Sequence, residues 1–199
     1  MNEISPRENT AAVLSRRPCS LDLSADAPQY DLIELMFFAY RDFVSDADHL
    51  LASLGFGRAH HRVLHFVSRR PGLTIAELLD ILKITKQSLN RVLKELLDQR
   101  YVEACRGMRD RRQRHLFPSE QGRALAADIA AMQSKRFANV FAALSESARP
   151  QAIAFLLAMV NSNEQAKIAA MTGVVPTLTR RSIPDGIHQR ESNSAKFHG

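Results

Sequence analysis

The sequence predicts a mainly α-helical fold with a small two- or three-stranded antiparallel β-sheet. Apolar residues recur at three- and four-residue steps through most of the middle of the chain, which is the period of amphipathic helices. Two short helical segments follow each other across a turn of a few residues, and two β-like runs come directly after them. With 199 residues, 45% of them hydrophobic, the chain is long enough for one domain with a buried core.

The two ends of the chain differ in composition from its middle. Residues 1–28 are mostly small, polar or charged, and residues 174–199 combine two prolines and two glycines with scattered polar side chains. Such segments carry too little apolar surface to form a core of their own. We therefore expect flexible tails over residues 1–28 and 174–199, around a folded domain that spans residues 29–173.

Two helices are expected in the first part of this domain. The segment Tyr30–Leu54 has apolar residues at helical spacing and is followed by Gly55, a residue typical of helix ends. A second helix is expected from about Arg58 to Ser68, before the Pro71-Gly72 pair interrupts the pattern. The side chains that this second helix is expected to bury are Val63, Leu64, Phe66 and Val67.

Two shorter helices follow. Thr74-Ile75-Ala76-Glu77 has the capping-box pattern, in which the Thr74 hydroxyl accepts from the Glu77 amide and the Glu77 carboxylate accepts from the Thr74 amide. It begins a short helix with Ile75, Leu78, Leu79 and Leu82 on its apolar side. A further helix is expected from near Thr85, with an apolar stripe of Leu89, Val92, Leu93, Leu96 and Leu97.

The face of this last helix opposite its stripe is polar and cationic. Asparagine, glutamine and arginine side chains can form paired hydrogen bonds with base edges in the major groove, and lysines neutralise phosphates. Two short helices and such a face are typical of a helix-turn-helix that binds DNA. The residues on this face are Lys86, Gln87, Asn90, Arg91 and Lys94.

A β-hairpin is expected directly after the helix-turn-helix. Its strands are predicted at Tyr101–Cys105 and Arg114–Phe117, with an arginine-rich tip between them, which makes the fold a winged helix. An arginine at such a tip can enter the minor groove, where the potential is most negative. Asp110 precedes Arg112 by two residues, so both project from the same side of an extended segment. We interpret Asp110 as the acid that orients this arginine.

The end of the domain favours a dimer. Ser119 is expected to cap a long helix that runs to about Leu144, about 35–40 Å at ~1.5 Å per residue, which is too long for a small winged helix to cover. The segment Ala152–Val160 is apolar on every side and is expected to be buried on every side. A second copy of the chain would cover both.

Residues 73–122 resemble the winged-helix core of the MarR family of transcription regulators, most closely its PetP-type subgroup. The resemblance lies in the order and spacing of strand, Asp-Arg-Arg wing tip, second strand and serine-led helix. It extends more loosely over residues 30–172. It implies a homodimer that binds pseudo-palindromic operator DNA and is modulated by a small-molecule effector or by thiol oxidation. The DNA-binding core then covers about 58–119, and the dimerisation helices about 30–54 and 120–173.

The resemblance also implies which residues contact DNA. They are Lys86, Gln87, Ser88, Asn90, Arg91 and Lys94 on the recognition helix and Arg111 and Arg112 on the wing, with Asp110 as the orienting acid. Because they lie beside these residues, Thr85, Arg109 and Arg114 are also expected to bind DNA. An effector pocket is expected between the dimer helices and the winged helix, by analogy with the family. Its expected residues are Tyr40, Arg41, His61 and His65.

The charge distribution agrees with a nucleic-acid partner. The formal net charge is +6, and residues 86–114 alone hold nine lysines and arginines against four acids. A solvated charged face remains an alternative, as does a patch that binds RNA or an acidic protein. The competing class of function is an architectural or protein-interaction module that binds nucleic acid without sequence specificity.

Other classes of function find little support. No glycine-rich phosphate loop, metalloprotease or serine-hydrolase motif is present, so we expect neither an enzyme nor a cofactor. His61 and His65 have the i, i+4 spacing of metal ligands, but no third ligand lies nearby in the sequence. The two cysteines, Cys19 and Cys105, are expected to be reduced thiols. No signal-peptide pattern is seen, so a cytoplasmic protein is expected.

Overall fold

Residues 28–107 and 113–175 are described by the computed structural model, and they form seven helices and three short strands. In chain order the elements are α1 (Tyr30–Ala52), α2 (Arg58–Arg69), β1 (Leu73–Thr74), α3 (Ile75–Leu82), α4 (Lys86–Asp98), β2 (Val102–Arg106), β3 (Arg114–Pro118), α5 (Glu120–Ala142), α6 (Ala148–Met159) and α7 (Ser162–Thr172). The described residues divide into two compact units, with the boundary between residues 134 and 135. This order of elements confirms the mainly helical winged fold.

The sheet has three antiparallel strands in the order β1-β3-β2. Strands β2 and β3 form the expected hairpin, and Ala104 lies opposite Leu116 in it. Leu73 of β1 pairs with Leu116 from the other side. Strand β1 is only two residues long, so it carries no period-2 pattern of its own. Its pairing with β3 ties the start of the helix-turn-helix to the base of the wing.

Capping interactions are present at three helix starts, and those of Thr74 and Ser119 were expected from the sequence. The Thr74 hydroxyl accepts from the Glu77 amide at 3.2 Å, and a Glu77 carboxylate oxygen accepts from the Thr74 amide at 2.8 Å. Thr85 and Ser119 cap α4 and α5 in the same way, each accepting from the amide three residues later. These bonds satisfy amides that a helix leaves without partners in its first turn.

The boundary between α4 and β2 differs from the prediction. Tyr101 was expected to start the strand, but the strand begins at Val102. Arg100 adopts a left-handed conformation, with φ of 61°, and the Tyr101 amide donates to the Leu96 carbonyl at 2.8 Å. The Tyr101 ring is buried and meets the Phe56 ring edge-on, with centroids 5.0 Å apart. Tyr101, which the sequence predicted as the first strand residue, therefore follows the end of α4 and packs in the core.

The core of the first unit is formed by one side of each helix from α1 to α5 and by the base of the sheet. It includes most of the predicted stripes of α2, α3 and α4, while Phe66, Ile75, Leu79 and Leu97 are only partly buried. The fully buried large side chains are Leu51, Leu64, Leu78, Leu89, Leu96, Leu116, Ile129, Val63, Val67 and Val102. The described helices include none that is both long and apolar enough to cross a membrane.

In the second unit, α6 and α7 pack against each other. Leu157 and Ala169 are buried there, and the Gln165 amide donates to the Val160 carbonyl at 2.8 Å. The sequence predicts burial on all sides of Ala152–Val160 with a second copy of the chain as the cover, and within a single chain part of this segment is exposed. Phe155, Leu156 and Met159 are more than half exposed. A single short neighbouring helix covers only one side of this apolar segment, which explains why the rest is exposed.

Candidate nucleic-acid interface

Helix α4 has two chemically distinct faces. Leu89, Val92, Leu93 and Leu96 are buried in the core of the first unit. All seven residues predicted on this helix and its cap are exposed to solvent: Thr85, Lys86, Gln87, Ser88, Asn90, Arg91 and Lys94. Because the buried stripe anchors the helix, its opposite face presents the amide and guanidinium groups outward. That arrangement suits insertion of the outer face into a groove of DNA.

The first turn of α4 is organised by its own side chains. The Thr85 hydroxyl accepts from the Ser88 amide at 3.2 Å and donates to the Ser88 hydroxyl at 2.9 Å. Both residues therefore have a capping role in the free protein. The neighbouring side chains of Lys86 and Gln87 project from a turn whose geometry is defined by this cap.

Lys94 pairs with an acid on its own helix. Its ammonium lies 2.6 Å from a carboxylate oxygen of Asp98, one turn further along, and both side chains are mostly exposed. The hydrogen bond and the charge of Asp98 raise the pKa of Lys94, so this side chain stays protonated at neutral pH. An exposed pair of this kind is weak because water and salt screen it. Lys94 can therefore exchange Asp98 for a phosphate.

Two polar contacts hold α2 against the helix-turn-helix. His60 at the start of α2 bonds to Glu95 of α4, with 2.8 Å between Nε2 and the carboxylate oxygen. The Arg62 guanidinium donates to the Leu82 carbonyl, at the end of α3, at 2.9 Å. Sequence reasoning missed both contacts. The His60 and Glu95 positions are 35 residues apart, and no local pattern connects them.

The wing is described only at its base. Arg106 lies opposite Arg114 in the hairpin, and the Gly107 amide donates to the Gln113 carbonyl at 3.0 Å. Arg114 is exposed, as a DNA contact requires. The predicted tip residues Arg109, Asp110, Arg111 and Arg112 lie outside the described residues. The orienting role of Asp110 therefore stays a prediction.

The four residues expected in an effector pocket fall into two local groups. On α1, Arg41 pairs with Asp42 at 2.7 Å, and the Tyr40 ring lies 5.8 Å from the Arg58 guanidinium. On α2, the His61 and His65 rings meet edge-on with centroids 6.2 Å apart. Arg58 also bonds to Asp48 at 2.8 Å, which links the start of α2 to α1.

Partial burial lowers the pKa of both histidines. For His61 the neighbouring His65 adds to the effect, while Asp48 opposes it. For His65 the charges of Arg69 and Arg70 add to it. Because both pKa values lie below 6.5, both rings are mainly neutral at physiological pH.

Within the described part of the chain, no group of three or more histidine, cysteine, aspartate and glutamate side chains is arranged to hold a metal ion. Cys105 is exposed on β2 as a free thiol, and Cys19 lies outside the described residues.

The chain matches known transcription regulators in sequence. The model of the MarR family matches residues 54–113. The HTH-type transcriptional regulator PetP of Rhodobacter capsulatus is 48% identical over 122 residues, which cover 61% of this chain and 71% of that protein. The matched family segment contains α2 through the first part of the wing, where the candidate interface lies.

Solved structures of low identity share the fold. A MarR transcriptional regulator from Methanosarcina mazei superposes with a TM-score of 0.57 at 23% identity, covering 71% of this chain and 94% of that one. FabT of Streptococcus pneumoniae, solved in complex with DNA, gives a TM-score of 0.57 at 15% identity and covers 73% of this chain and 98% of that one. At these identities the likeness concerns the fold.

Proposed function

Because the chain belongs to the MarR family of DNA-binding transcription regulators, we propose that it acts as a homodimer on pseudo-palindromic operator DNA and responds to a small-molecule effector. Helix α4 is the recognition helix in this proposal. It lies in the major groove, where Asn90 and Arg91 contact base edges and Lys86 and Lys94 contact phosphates. The wing reaches the adjacent minor groove through Arg111 and Arg112, which Asp110 orients.

The observation that carries the proposal is the placement of the polar side chains of α4. They are exposed together on one face, and the opposite face is fixed in the core. Lysine and arginine alone would serve nonspecific binding, since they neutralise phosphates on any sequence. Gln87 and Asn90 add no charge, so their place on this face favours hydrogen bonding to bases.

The exposed apolar surface of α1 supports the homodimer. Eight large apolar side chains of this helix are between 39% and 69% exposed, and they occur on every side of its first three turns: Tyr30, Leu32, Ile33, Leu35, Met36, Phe37, Phe38 and Tyr40. A contiguous apolar surface of this kind marks a protein interface. Two-fold symmetry then places the two recognition helices one turn of DNA apart, ~34 Å.

The effector site is proposed where α1 meets the start of α2. Tyr40, Arg41, His61 and His65 supply aromatic surface, one cation and two neutral imidazoles there, and Arg58 with Asp48 joins the two helices. These groups suit a small aromatic or anionic ligand. Thermal stabilisation of the full chain by a panel of phenolic acids tests this part, and a panel without any stabilising member opposes it.

Selection from a pool of random duplexes tests the operator proposal. The full chain is incubated with the pool at ~150 mM salt, and the bound DNA is sequenced. We expect an inverted repeat with half-sites about ten base pairs apart. A bound pool with no common sequence would favour the architectural module that binds DNA without specificity.

A further inference from the structure

We propose that His60 is a positioning residue for sequence readout, acting through Glu95 on the recognition helix. The inference rests on the proposed operator binding, because a positioning role has meaning only where base contacts are made. His60 lies on α2, a helix that carries none of the DNA-binding residues proposed above. Its ring spans the gap between the start of that helix and Glu95 in the C-terminal part of α4.

The hydrogen bonds of His60 define its tautomer. The Gly57 amide lies 3.1 Å from Nδ1, and an amide can only donate, so Nδ1 carries no proton. The proton of the neutral ring is therefore on Nε2, which donates to the Glu95 carboxylate at 2.8 Å. Both nitrogens are satisfied at once, and flipping the ring would break both bonds.

The ring also has little freedom to move. Its side chain is only 12% exposed, and it stacks on Phe56 with centroids 4.8 Å apart and planes 21° apart. Phe56 is itself buried and meets Tyr101, the residue that follows α4, edge-on. His60 thus belongs to a packed group that contacts α4 through Glu95 and the chain after it through Tyr101.

Glu95 is placed where a small displacement of α4 matters. It lies four residues after Arg91, so the two share one side of the helix across a single turn, and it directly follows Lys94. Hydrogen bonds to base edges tolerate only a few tenths of an ångström before they weaken. Contacts from long lysine side chains to phosphates tolerate more. Loss of the Glu95 bond should therefore reduce sequence discrimination more than overall DNA affinity.

Whether Glu95→Ala weakens or strengthens DNA binding distinguishes a positioning role from a purely electrostatic effect. A carboxylate close to the cationic face repels DNA, so removing it should strengthen binding if electrostatics alone decided the outcome. If Glu95 positions the helix, Glu95→Ala weakens binding to the operator although a negative charge is lost. Asp98 offers a matched control, because it is an acid of the same helix whose ion pair with Lys94 stays within that helix.

The experiment uses the full chain and the duplex selected by the wild type. We expect Glu95→Ala and His60→Asn to weaken binding to that duplex by about 5–10-fold, and to leave binding to a scrambled duplex equal or tighter. Asparagine keeps an acceptor near the Nδ1 position but cannot reach Glu95. Glu95→Gln keeps an acceptor oxygen for His60 and should restore binding to within about threefold. Asp98→Ala should bind both duplexes at least as tightly as the wild type.

A direct observation of the ring complements the binding data. Long-range ¹⁵N–¹H correlation spectra of the wild type report the tautomer of His60, and we expect the Nε2–H form. In Glu95→Ala the Nε2–H group should no longer donate a hydrogen bond to residue 95. The Nδ1–H form, or Glu95→Ala binding the operator as tightly as Asp98→Ala, would overturn the inference. A wild type that selects no sequence would overturn the proposed function, and the positioning role with it.

Discussion

At the scale of single residues, the neighbouring imidazoles of His61 and His65 make the protein sensitive to acid. Burial and nearby positive charge lower both pKa values below the ordinary 6.5. The unfolded chain therefore binds protons more readily than the folded chain in mildly acidic solution. Stability is then fully present above the unfolded pKa and falls as the pH drops through the range between the unfolded and the folded values.

The first prediction follows from this linkage. The midpoint of thermal unfolding of the wild type should fall between about pH 7 and about pH 5, and the His61→Gln/His65→Gln variant should show a smaller fall. Calorimetry across this pH range measures both. Identical pH profiles for the two proteins would exclude these histidines as the source.

A second prediction contrasts two hydroxyl residues of the first unit. Within the described residues, the Ser68 hydroxyl is buried without a hydrogen-bond partner, whereas Thr74 caps α3. Ser68→Ala removes an unsatisfied polar group and should leave the free energy of unfolding unchanged or raise it by up to about 1 kcal/mol. Thr74→Ala should lower it by about 1 kcal/mol. Urea unfolding measures both, and a clear loss in Ser68→Ala would mean that the hydroxyl has a partner.

At the scale of the elements, the start of α5 packs unusually close to the chain that precedes β2. A Cβ atom added at Gly122 would clash with the Tyr101 carbonyl oxygen. The Ser119 amide donates to that same oxygen at 3.2 Å. Only glycine permits this approach, so one residue of α5 sets how closely the helix can lie against the base of the winged unit.

The third prediction is therefore a severe effect of one methyl group. Gly122→Ala should lower the free energy of unfolding by at least about 2 kcal/mol, since the atom it meets is backbone and cannot turn aside. Gly57→Ala is the matched control, because a Cβ there meets nothing within 4 Å, and its effect should be much smaller. Equal stability of the two variants would contradict the close approach.

The elements that could be predicted are those whose signals are local. The Thr74–Glu77 capping box and the stripe that begins at Leu89 each lie within one element, so the sequence predicts α3 and α4 well. Strand β1 has two residues, and its partner Leu116 lies 43 positions after Leu73. The His60–Glu95 bond is likewise set by the tertiary fold. Contacts of this kind have no sequence period, and only the structure reveals them.

The candidate site was predictable to the same extent. Residues 85–94 follow from a helical face, and the structure places all the predicted ones in solvent. The effector residues were predicted by analogy with the family. The structure places Arg41 beside Asp42 on α1, and His61 beside His65 on α2. The polar contact that ties α4 to α2 could not be predicted from the recognition helix alone, because its partner His60 lies on α2.

At the scale of the whole molecule, exposed apolar surface is the dominant feature of the single chain. Phe37 on α1 is 69% exposed, and in the second unit Phe155, Leu156 and Met159 are more than half exposed. Burying such side chains contributes about 25 cal/mol for each Å² removed from water. A symmetric dimer would use the same surface twice.

The fourth prediction tests this surface. Phe37→Asp should convert a dimer to a monomer, because a carboxylate in an apolar interface loses its hydration without a partner. Ser53→Asp, which adds the same charge at an exposed position after α1, should remain a dimer. Sedimentation equilibrium of the two variants measures the masses. A monomeric wild type, or a dimeric Phe37→Asp, would show that α1 does not form the interface.

Base readout by the outer face of α4 can be tested by measuring how tightly Arg91→Ala binds two duplexes. On the duplex selected by the wild type, the variant should lose about 1–3 kcal/mol of binding free energy and relax its preference at one position of each half-site. On a scrambled duplex the loss should be small, whereas Lys94→Ala should weaken both similarly and reduce the salt dependence. Equal losses of Arg91→Ala on both duplexes would contradict base readout and identify the face as a phosphate-binding surface.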